Sequence, residues 1–594
     1  MINIFNQFKE IFSNILQEIA KENQVDLLEI ELKNLTVEPS KEAIHGDLAC
    51  NIAMVASKKF SHIENLNNPK KLAQKIIENL LQTKNNGVIK AEIAGPGFIN
   101  VFLKPENFYQ IIEDLLKKEE FIFPNLGNNL KINLEYASPN PTGPIHVGHT
   151  RGAIYGDVLA TLLQKVGYDV LKEYYINDAG SQINTLLKSS YLRYLEALGN
   201  KIEIPNGLYP GVYLIEIGEK LKEKFGNSLV EISEAEYLPK IRDFVVQSMI
   251  ELIKNDLLAL GIKHDSYFSE KENLHDTNQI EKTIKILEEK GLIYVGKLEV
   301  PKTEKGVGAL PDDYSDNEQT LFRSTLFGDD QDRVVKKADG SFTYLAGDMA
   351  YVQSKFDRGA KIFIMPLGYD HAGYVKRLNA VVESLTNKQA KLKVILCQMV
   401  KFVKNGEPLK MSKRAGNFIT AREVIDEVGA DVLRFIMLTR KNDAPFDFDL
   451  AKVIEQSKDN PIFYVQYAHA RCCSVLRNLK SENIEVPQEI SKNILQNLKD
   501  ESEINLIKKI ANFPRIIEMA AVNFEPHRLA FYLQELAGEF HALWNKGTEN
   551  PNLKFIIKED LQITLARIYL ILAVKKIIKT GLEIFNIKAV EELR

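Results

Sequence analysis

The chain has 594 residues, too many for one hydrophobic core, so roughly three to four domains are expected. Hydrophobic content of 45% and charged content of 26% are ordinary for a globular protein, and a net charge of −4 excludes a bulk polycation, so any nucleic acid must be held by local patches. Four cysteines (Cys50, Cys397, Cys472, Cys473) form no C-x-x-C pair, which argues against a zinc site or a disulfide framework and for a reducing cytoplasm, and no apolar run is long enough to span a membrane.

The first segment, about residues 2–22, is amphipathic with interspersed Glu and Lys and does not read as a signal peptide. VDLLEIELKNLTVEP is strand-like. HGDLACNIAMVASKKF follows, where His45-Gly46-Asp47 reads as the cap of an apolar helix. A helix over about Lys70–Gln82 and two strands in VIKAEIAGPGFINVFL, broken at Gly95-Pro96-Gly97, complete a small α/β domain over residues 1–125. FIFPNLGNN is a linker.

Lys131–Leu163 then reads as strand (KINLEY), Pro/Gly loop and helix (from HVGH onward). Such a unit aims the free N–H groups of a helix start at an anion. His146 and His149 lie three apart on one face of that turn, and imidazoles there can donate to phosphate oxygens. GYDVLKEYYINDAGSQ is a second strand, with Asn177-Asp178 in the polar loop at its end. Residues from about 185 to 320 read as a helical, charged insertion.

RVVKKADGSFTYLA is a hairpin with an Asp339-Gly340 turn that brings the chain back to its core, and TYLAGDMAYVQSKF starts a helix. KIFIMPLG, YDHAGYVKRLNAVVESL and KLKVILCQMV form a second β-α-β unit. Past it lies a basic loop, Lys404–Asn417. From about 450 onward the pattern is helical, which sets an α/β domain at 126–450 apart from an all-α domain at 451–594.

Lys410-Met411-Ser412-Lys413-Arg414 places cations on a loop beyond a buried strand, where sheets of this kind bind ligands. Lysines so placed can close over a triphosphate and neutralise departing pyrophosphate. No G-x-x-x-x-G-K-[ST] occurs at either site, which excludes a P-loop γ-phosphoryl transferase. No G-x-G-x-x-G follows the first strand, which argues against a dinucleotide enzyme.

His146-Val147-Gly148-His149 with Lys410-Met411-Ser412-Lys413, about 260 residues on, resembles the HIGH and KMSKS pair of class I aminoacyl-tRNA synthetases. The closer resemblance is to the arginyl-tRNA synthetase family. It rests on EYASPNPTGPIHVGH, TYLAGDMAY, QMVKFVKNGEPLKMSKRAGNFIT, GADVLRF and NPIFYVQYAHAR, with HGDLACNIAM and IAGPGFINVF near the start, and so covers essentially the whole chain.

That resemblance implies an α/β Rossmann-type catalytic domain with an inserted α-rich connective segment (about 185–320). It also implies an N-terminal additional domain that contacts the corner of the tRNA and a C-terminal all-α anticodon-binding bundle. The implied reaction joins arginine to ATP, releases pyrophosphate and passes the arginyl group to the 2′-hydroxyl of the terminal adenosine, with activation needing tRNA. The implied partners are L-arginine, ATP with magnesium on its phosphates, and arginine isoacceptor tRNAs. A cytoplasmic monomer without structural zinc and without membrane contact is expected.

By the same resemblance His146, His149, Lys410 and Lys413 are catalytic, and Lys413 keeps an ordinary lysine role with Arg414 in the motif's last place. ATP is expected against Gly143, Gly148, Met411 and Ser412 as well as those four, with Gly368, Asp370 and His371 on the adenosine side. A helix N-cap role for Asp370 stays open, and Asn177-Asp178 is equally open. Glu135, Tyr344 and Asp348 are implied for the guanidinium, which pairs with carboxylates in fork geometry. Ser138, Asn140 and His146 are implied for the α-amino and carboxylate end. Tyr464, Tyr467, His469 and Arg471 offer rings for unpaired bases and a cation for phosphate.

The alternatives are weaker. A cysteinyl-tRNA synthetase uses zinc ligands that four scattered cysteines do not supply, and the branched-chain synthetases need a large editing domain. Small nucleotidyltransferases share the histidine motif but need no helical C-terminal third. The intact histidines, lysines and carboxylates argue against a tRNA-binding paralogue without catalysis.

Overall fold

The computed structural model describes residues 3–27, 32, 34–83, 86–298, 302–303, 306–307, 315–408, 419–455, 457, 459–487, 489–490 and 492–593. The first helix, Ile4–Glu22, starts where the Asn3 side chain accepts from the backbone N–H groups of Phe5 and Asn6. It buries Phe8, Phe12, Leu16 and Ile19 on one face, against the Pro69–Gln82 helix. Beside them lies an antiparallel sheet in the order Val37–Pro39, Leu48–Cys50, Phe98–Leu103, Val88–Ala94. Its hairpin turns at Gly95-Pro96-Gly97, with both glycines at positive φ (54° and 136°).

Two expectations for this domain change. Of the strand-like stretch before Ser40, only Val37–Pro39 is a strand, and residues 28–31 and 33 lie outside the described residues. His45-Gly46-Asp47 is not a helix cap, because the strand Leu48–Cys50 intervenes before the helix Ile52–Ala56. Asp47 instead accepts from the Leu103 N–H at 2.8 Å and meets Lys508 of the helical bundle at 2.6 Å.

The central sheet is wholly parallel, in the order Lys391–Cys397, Ile362–Gly368, Lys131–Glu135, Asp169–Ile176, Ser266–Ser269. The chain leaves Lys131–Glu135 in one direction through the helix Thr150–Lys165. It leaves the neighbouring strand Ile362–Gly368 in the other, through the helix Val375–Thr386. The reversal opens a crevice between these two strands at their carboxyl ends, the usual seat of a ligand in such sheets.

The stretch of about 185–320 is not one helical insertion. The helices Ser181–Ala197, Tyr213–Phe225 and Glu234–Ala259 share a core around Leu186, Leu214, Leu221 and Ile241. Ser266–Ser269 then returns to the central sheet as its edge strand. After the helix Gln279–Glu289, a three-stranded antiparallel sheet forms from Ile293–Gly296, Gln319–Phe322 and Arg333–Lys336. A four-residue strand among charged neighbours shows no alternation, so the sequence pattern hides it.

The expected second unit holds its place, with Tyr344–Asp357 leading into Ile362–Gly368, Val375–Thr386 and Lys391–Cys397. Val400–Lys404 is a separate strand, paired with Glu407–Pro408 and Phe446–Asp449. The bundle follows with helices Pro461–Ser481, Glu501–Ala511, Phe513–Val522, His527–Glu549 and Leu561–Ile584. The N-terminal domain rests on it: Asn3 and Asn6 donate to Glu518 (2.8 and 2.6 Å), and Tyr109 donates to the Leu498 carbonyl. Among the described residues no helix is long and apolar enough to cross a membrane.

Candidate active site

His146 precedes the short turn Val147–His149, which runs directly into the helix Thr150–Lys165. Its Nδ1 accepts from the Gly148 N–H at 2.8 Å, so in the neutral ring the proton sits on Nε2, a donor for an anion. The rings of His146 and His149 stack with centroids 4.3 Å apart and planes 19° apart. A Cβ at Gly148 would lie 2.4 Å from the His146 ring, so only glycine admits this arrangement.

The far side of the Lys404–Asn417 loop returns to this same turn. Val147 N–H donates to the Ile419 carbonyl at 3.0 Å, Ala421 N–H donates to the Ile145 carbonyl at 2.7 Å, and His146 pairs with Thr420. Lys410, Met411, Ser412, Lys413 and Arg414 lie outside the described residues, between Pro408 and Ile419. The helix behind the turn is anchored by buried Arg151, which donates to the carbonyls of Gln398, Lys441 and Ala444 at 2.8–3.0 Å.

One strand end builds the neighbouring pocket. Glu135 closes the central strand, and Ala137, two residues on, takes a left-handed φ of 53°. Ser138 Oγ accepts from the Tyr175 N–H at 3.0 Å, and Asn140 donates to Gln182 at 2.9 Å. From the helix Tyr344–Asp357, Asp348 accepts a hydrogen bond from the Tyr374 hydroxyl. Burial raises the Asp348 carboxyl, the Tyr374 bond opposes this, and the charges of Glu135 and Glu270 add to it, leaving it at about 7.

Glu135 differs from expectation, since its Oε2 lies 2.6 Å from Lys355 Nζ. Lys355 also sits 3.9 Å over the Tyr351 ring. Tyr344 departs too: it is 77% exposed and does not share the buried wall with Asp348, because it is the first helical residue and faces out. Beneath the pocket, burial would raise buried Glu173, but two bonds from Arg358 (2.5 and 2.9 Å), with Lys355 and Asn133, hold it at about 2.

Sequence reasoning missed Glu270, Lys355 and Tyr374. Glu270 follows the edge strand that the pattern hid. Lys355 carried a readable signal, seven residues after Asp348 and so on the same helix face.

At the neighbouring strand end, Gly368 precedes a turn over Tyr369–Tyr374 that no side chain caps. Asp370 is therefore not an N-cap; it is exposed, 3.7 Å from His371. Gly143 lies against the insertion, where a Cβ would sit 3.1 Å from the Tyr213 ring. Asp178 accepts from Ser269 Oγ (2.6 Å) and the Lys271 N–H (2.8 Å), which makes it a tie between strand ends.

In the bundle, His469 is 2% exposed with Nδ1 2.7 Å from the Val590 carbonyl, so its expected place on an RNA-facing surface is corrected to the core. Tyr464 packs on His541, ring centroids 4.4 Å apart. The His541 tautomer follows from its neighbours: Arg471 donates to Nδ1 at 2.9 Å, and Nε2 lies 3.1 Å from the Tyr464 carbonyl. Burial lowers that imidazole to about 4, so it stays neutral. The Arg471 guanidinium lies between the rings of Tyr467 (4.2 Å) and Trp544 (4.7 Å), with Tyr467 exposed.

Three family models match in sequence order. They are "Arginyl tRNA synthetase N terminal domain" over residues 6–103, "tRNA synthetases class I (R), catalytic domain" over 110–472 and "DALR anticodon binding domain" over 465–593. The chain is similar to an arginine–tRNA ligase of Brucella canis, 50% identical over 598 residues and covering 100% of both chains. Its fold is similar to the arginyl-tRNA synthetases of Thermus thermophilus and Plasmodium falciparum, each 18% identical with a TM-score of 0.71 and full coverage of both chains.

Proposed function

Since the chain belongs to the class I arginyl-tRNA synthetases and is an arginine–tRNA ligase, we propose how its residues divide that reaction. The observation that carries the reading is the meeting of two sites at one turn. The strand before the turn ends in a carboxylate pocket, and the turn itself presents stacked histidines and is laced to the segment that follows the lysine loop.

The arginine guanidinium lies between Asp348 and Glu270, with Tyr344 at the mouth and Glu135 held beneath by Lys355. Ser138 and Asn140 hold the α-amino and carboxylate end, beside His146. A carboxylate oxygen of arginine attacks the α-phosphorus of ATP, the bond to the bridging β-phosphate oxygen breaks, and pyrophosphate leaves. The Nε2 proton of His146, His149 and the helix start stabilise the added negative charge. Lys410 and Lys413, with Met411 and Ser412, cover the leaving pyrophosphate, and Gly143, Gly148, Gly368, Asp370 and His371 face the nucleotide. The terminal 2′-hydroxyl then attacks the arginyl carbonyl and AMP departs.

Tyr467, Arg471 and Trp544 meet unpaired bases of the tRNA, with Tyr464, one turn before Tyr467 on the same helix, packed on His541 of the helix that carries Trp544. The enzyme works as a cytoplasmic monomer, and magnesium enters on the ATP phosphates. All four cysteines are free and buried, as a reducing compartment allows. The test is ATP–pyrophosphate exchange with arginine, with and without tRNA. Exchange is expected only when tRNA is present, and exchange with cysteine but not arginine would sink the reading.

A further inference from the structure

Ala137 holds an αL backbone that costs an alanine free energy, so its surroundings must impose it. Both ends of the preceding residue, Tyr136, are gripped. Its hydroxyl donates to Asp157 at 3.2 Å, and its carbonyl lies 3.0 Å from His264 Nε2. The Tyr136 ring is wedged against Gly156, where a Cβ would come within 2.4 Å, and packs on the His264 ring at 4.3 Å. Beyond the turn, the Tyr174 hydroxyl donates to the Pro139 carbonyl at 2.5 Å.

Both grips lead back to one buried side chain. Arg434 donates to Asp157 at 2.6 Å, behind the hydroxyl, and to the Leu260 carbonyl at 2.8 Å, at the head of the segment that carries His264. Its third bond, 2.5 Å, reaches the Phe585 carbonyl at the end of the last bundle helix. The next bundle residue, Asn586, donates to the Gly261 carbonyl at 2.7 Å, in that same segment. A planar guanidinium can satisfy three such directions at once; an ammonium cannot hold them in that plane.

We propose that Arg434 is a positioning residue for arginine binding: from the seam with the helical bundle it fixes the Tyr136–Asn140 turn that presents Ser138 and Asn140. This rests on the reading that Ser138 and Asn140 hold the α-amino and carboxylate end of the substrate. The bundle end at Phe585–Asn586 is then part of the support of the amino-acid site, although it touches no substrate.

The test uses the full-length enzyme in steady-state aminoacylation, with KM measured separately for arginine, ATP and tRNA and a melting curve for each variant. Arg434→Lys keeps the charge facing Asp157 but loses the three-way geometry. It is expected to raise the arginine KM about tenfold, the size of one charged hydrogen bond, with the ATP and tRNA KM values within about twofold. Tyr136→Phe removes only the hydroxyl link, and Asn586→Ala only an exposed link; each is expected to raise the arginine KM in the same direction by a smaller factor. These two carry the test if Arg434→Lys does not fold. Combined with Arg434→Lys, Tyr136→Phe should add less than its own factor, since both act on one path. An unchanged arginine KM in the folded variants, or an equal rise for all three substrates, overturns the proposal. Ser138→Ala separates the two ideas: if it leaves the arginine KM unmoved, the substrate reading fails; if it raises that KM while the others do not, only the positioning role fails.

Discussion

Lys355 Nζ lies 2.6 Å from Glu135 Oε2, on side chains only 1% and 11% exposed, so a cation is built in beside the site proposed for the substrate guanidinium. With Glu135 so paired, Asp348 and Glu270 are the acids proposed to meet the guanidinium, and Glu270 also lies 3.3 Å from His275 Nε2. Excess negative charge would otherwise have to be desolvated together, and the effect of Glu135 on Asp348 shows how closely these groups sense one another.

Lys355→Met should therefore destabilise the enzyme by about 3–5 kcal/mol, because it strands a buried carboxylate rather than because the pair itself is strong. Adding Glu135→Gln should recover most of that loss in stability. Urea unfolding of the two variants checks this. A single variant as stable as the wild type would show that Glu135 reaches water and that the pair is not a buried one.

If Asp348 meets the guanidinium, as proposed, arginine binding should depend on pH near neutrality. Its folded value of about 7 lies above the ordinary 3.8, so the folded enzyme holds a proton there that the unfolded chain has lost. That stabilisation is complete below pH 3.8 and is lost as pH rises through about 7. Arginine needs the ionised form, so binding releases a proton, and the arginine KM should fall up to about tenfold between about pH 6 and about pH 8. The ATP KM should stay flat over the same range. Asp348→Asn should raise the arginine KM and erase its slope; an arginine KM that ignores pH in the wild type removes Asp348 from the guanidinium site.

The strand, turn and helix around His146 were legible because a buried parallel strand and an amphipathic helix each leave a periodic trace. Glu270 was not, since it follows a four-residue edge strand, Ser266–Ser269, whose partner strand Asp169–Ile176 lies some ninety residues back along the chain. His469 was misread for a related reason. The resemblance placed it beside Tyr467 on the RNA side, yet two residues on along a helix is the opposite face, and its bond goes to Val590, 121 residues away, which no local window contains. Glu173 stands in a strand among apolar and aromatic residues, where a buried charge needs partners; those partners, Arg358, Tyr351 and Asn133, come from other elements. Local periodicity thus revealed the elements, and long-range polar pairing decided which residues the site uses.

His146 holds its Nδ1 on the Gly148 N–H, which fixes the proton on the outer nitrogen before any substrate arrives. Removing one such preorganised donor typically costs about 10²–10³ in kcat. His146→Ala should show that loss in aminoacylation at saturating substrates, with little change in melting temperature. A loss below about threefold would take His146 off the list of catalytic residues.

Trp544 is the chain's single tryptophan, and it forms one wall of the Arg471 sandwich with Tyr467 opposite. Its fluorescence should therefore report RNA arriving at the bundle and nowhere else, and titration with the cognate tRNA should change it saturably. Stacking one base on an aromatic ring is worth about 1–3 kcal/mol, so Tyr467→Ala should raise the tRNA KM by roughly tenfold or more while the arginine and ATP values hold. Arg471→Ala tests the charge separately. If the guanidinium meets a phosphate, the slope of log affinity against log salt should shrink by about one contact's share. If it serves only to brace the two rings against neutral His541, affinity should fall with the slope unchanged. A tRNA titration that leaves Trp544 emission untouched, at concentrations that saturate aminoacylation, would move the base-reading surface elsewhere on the bundle.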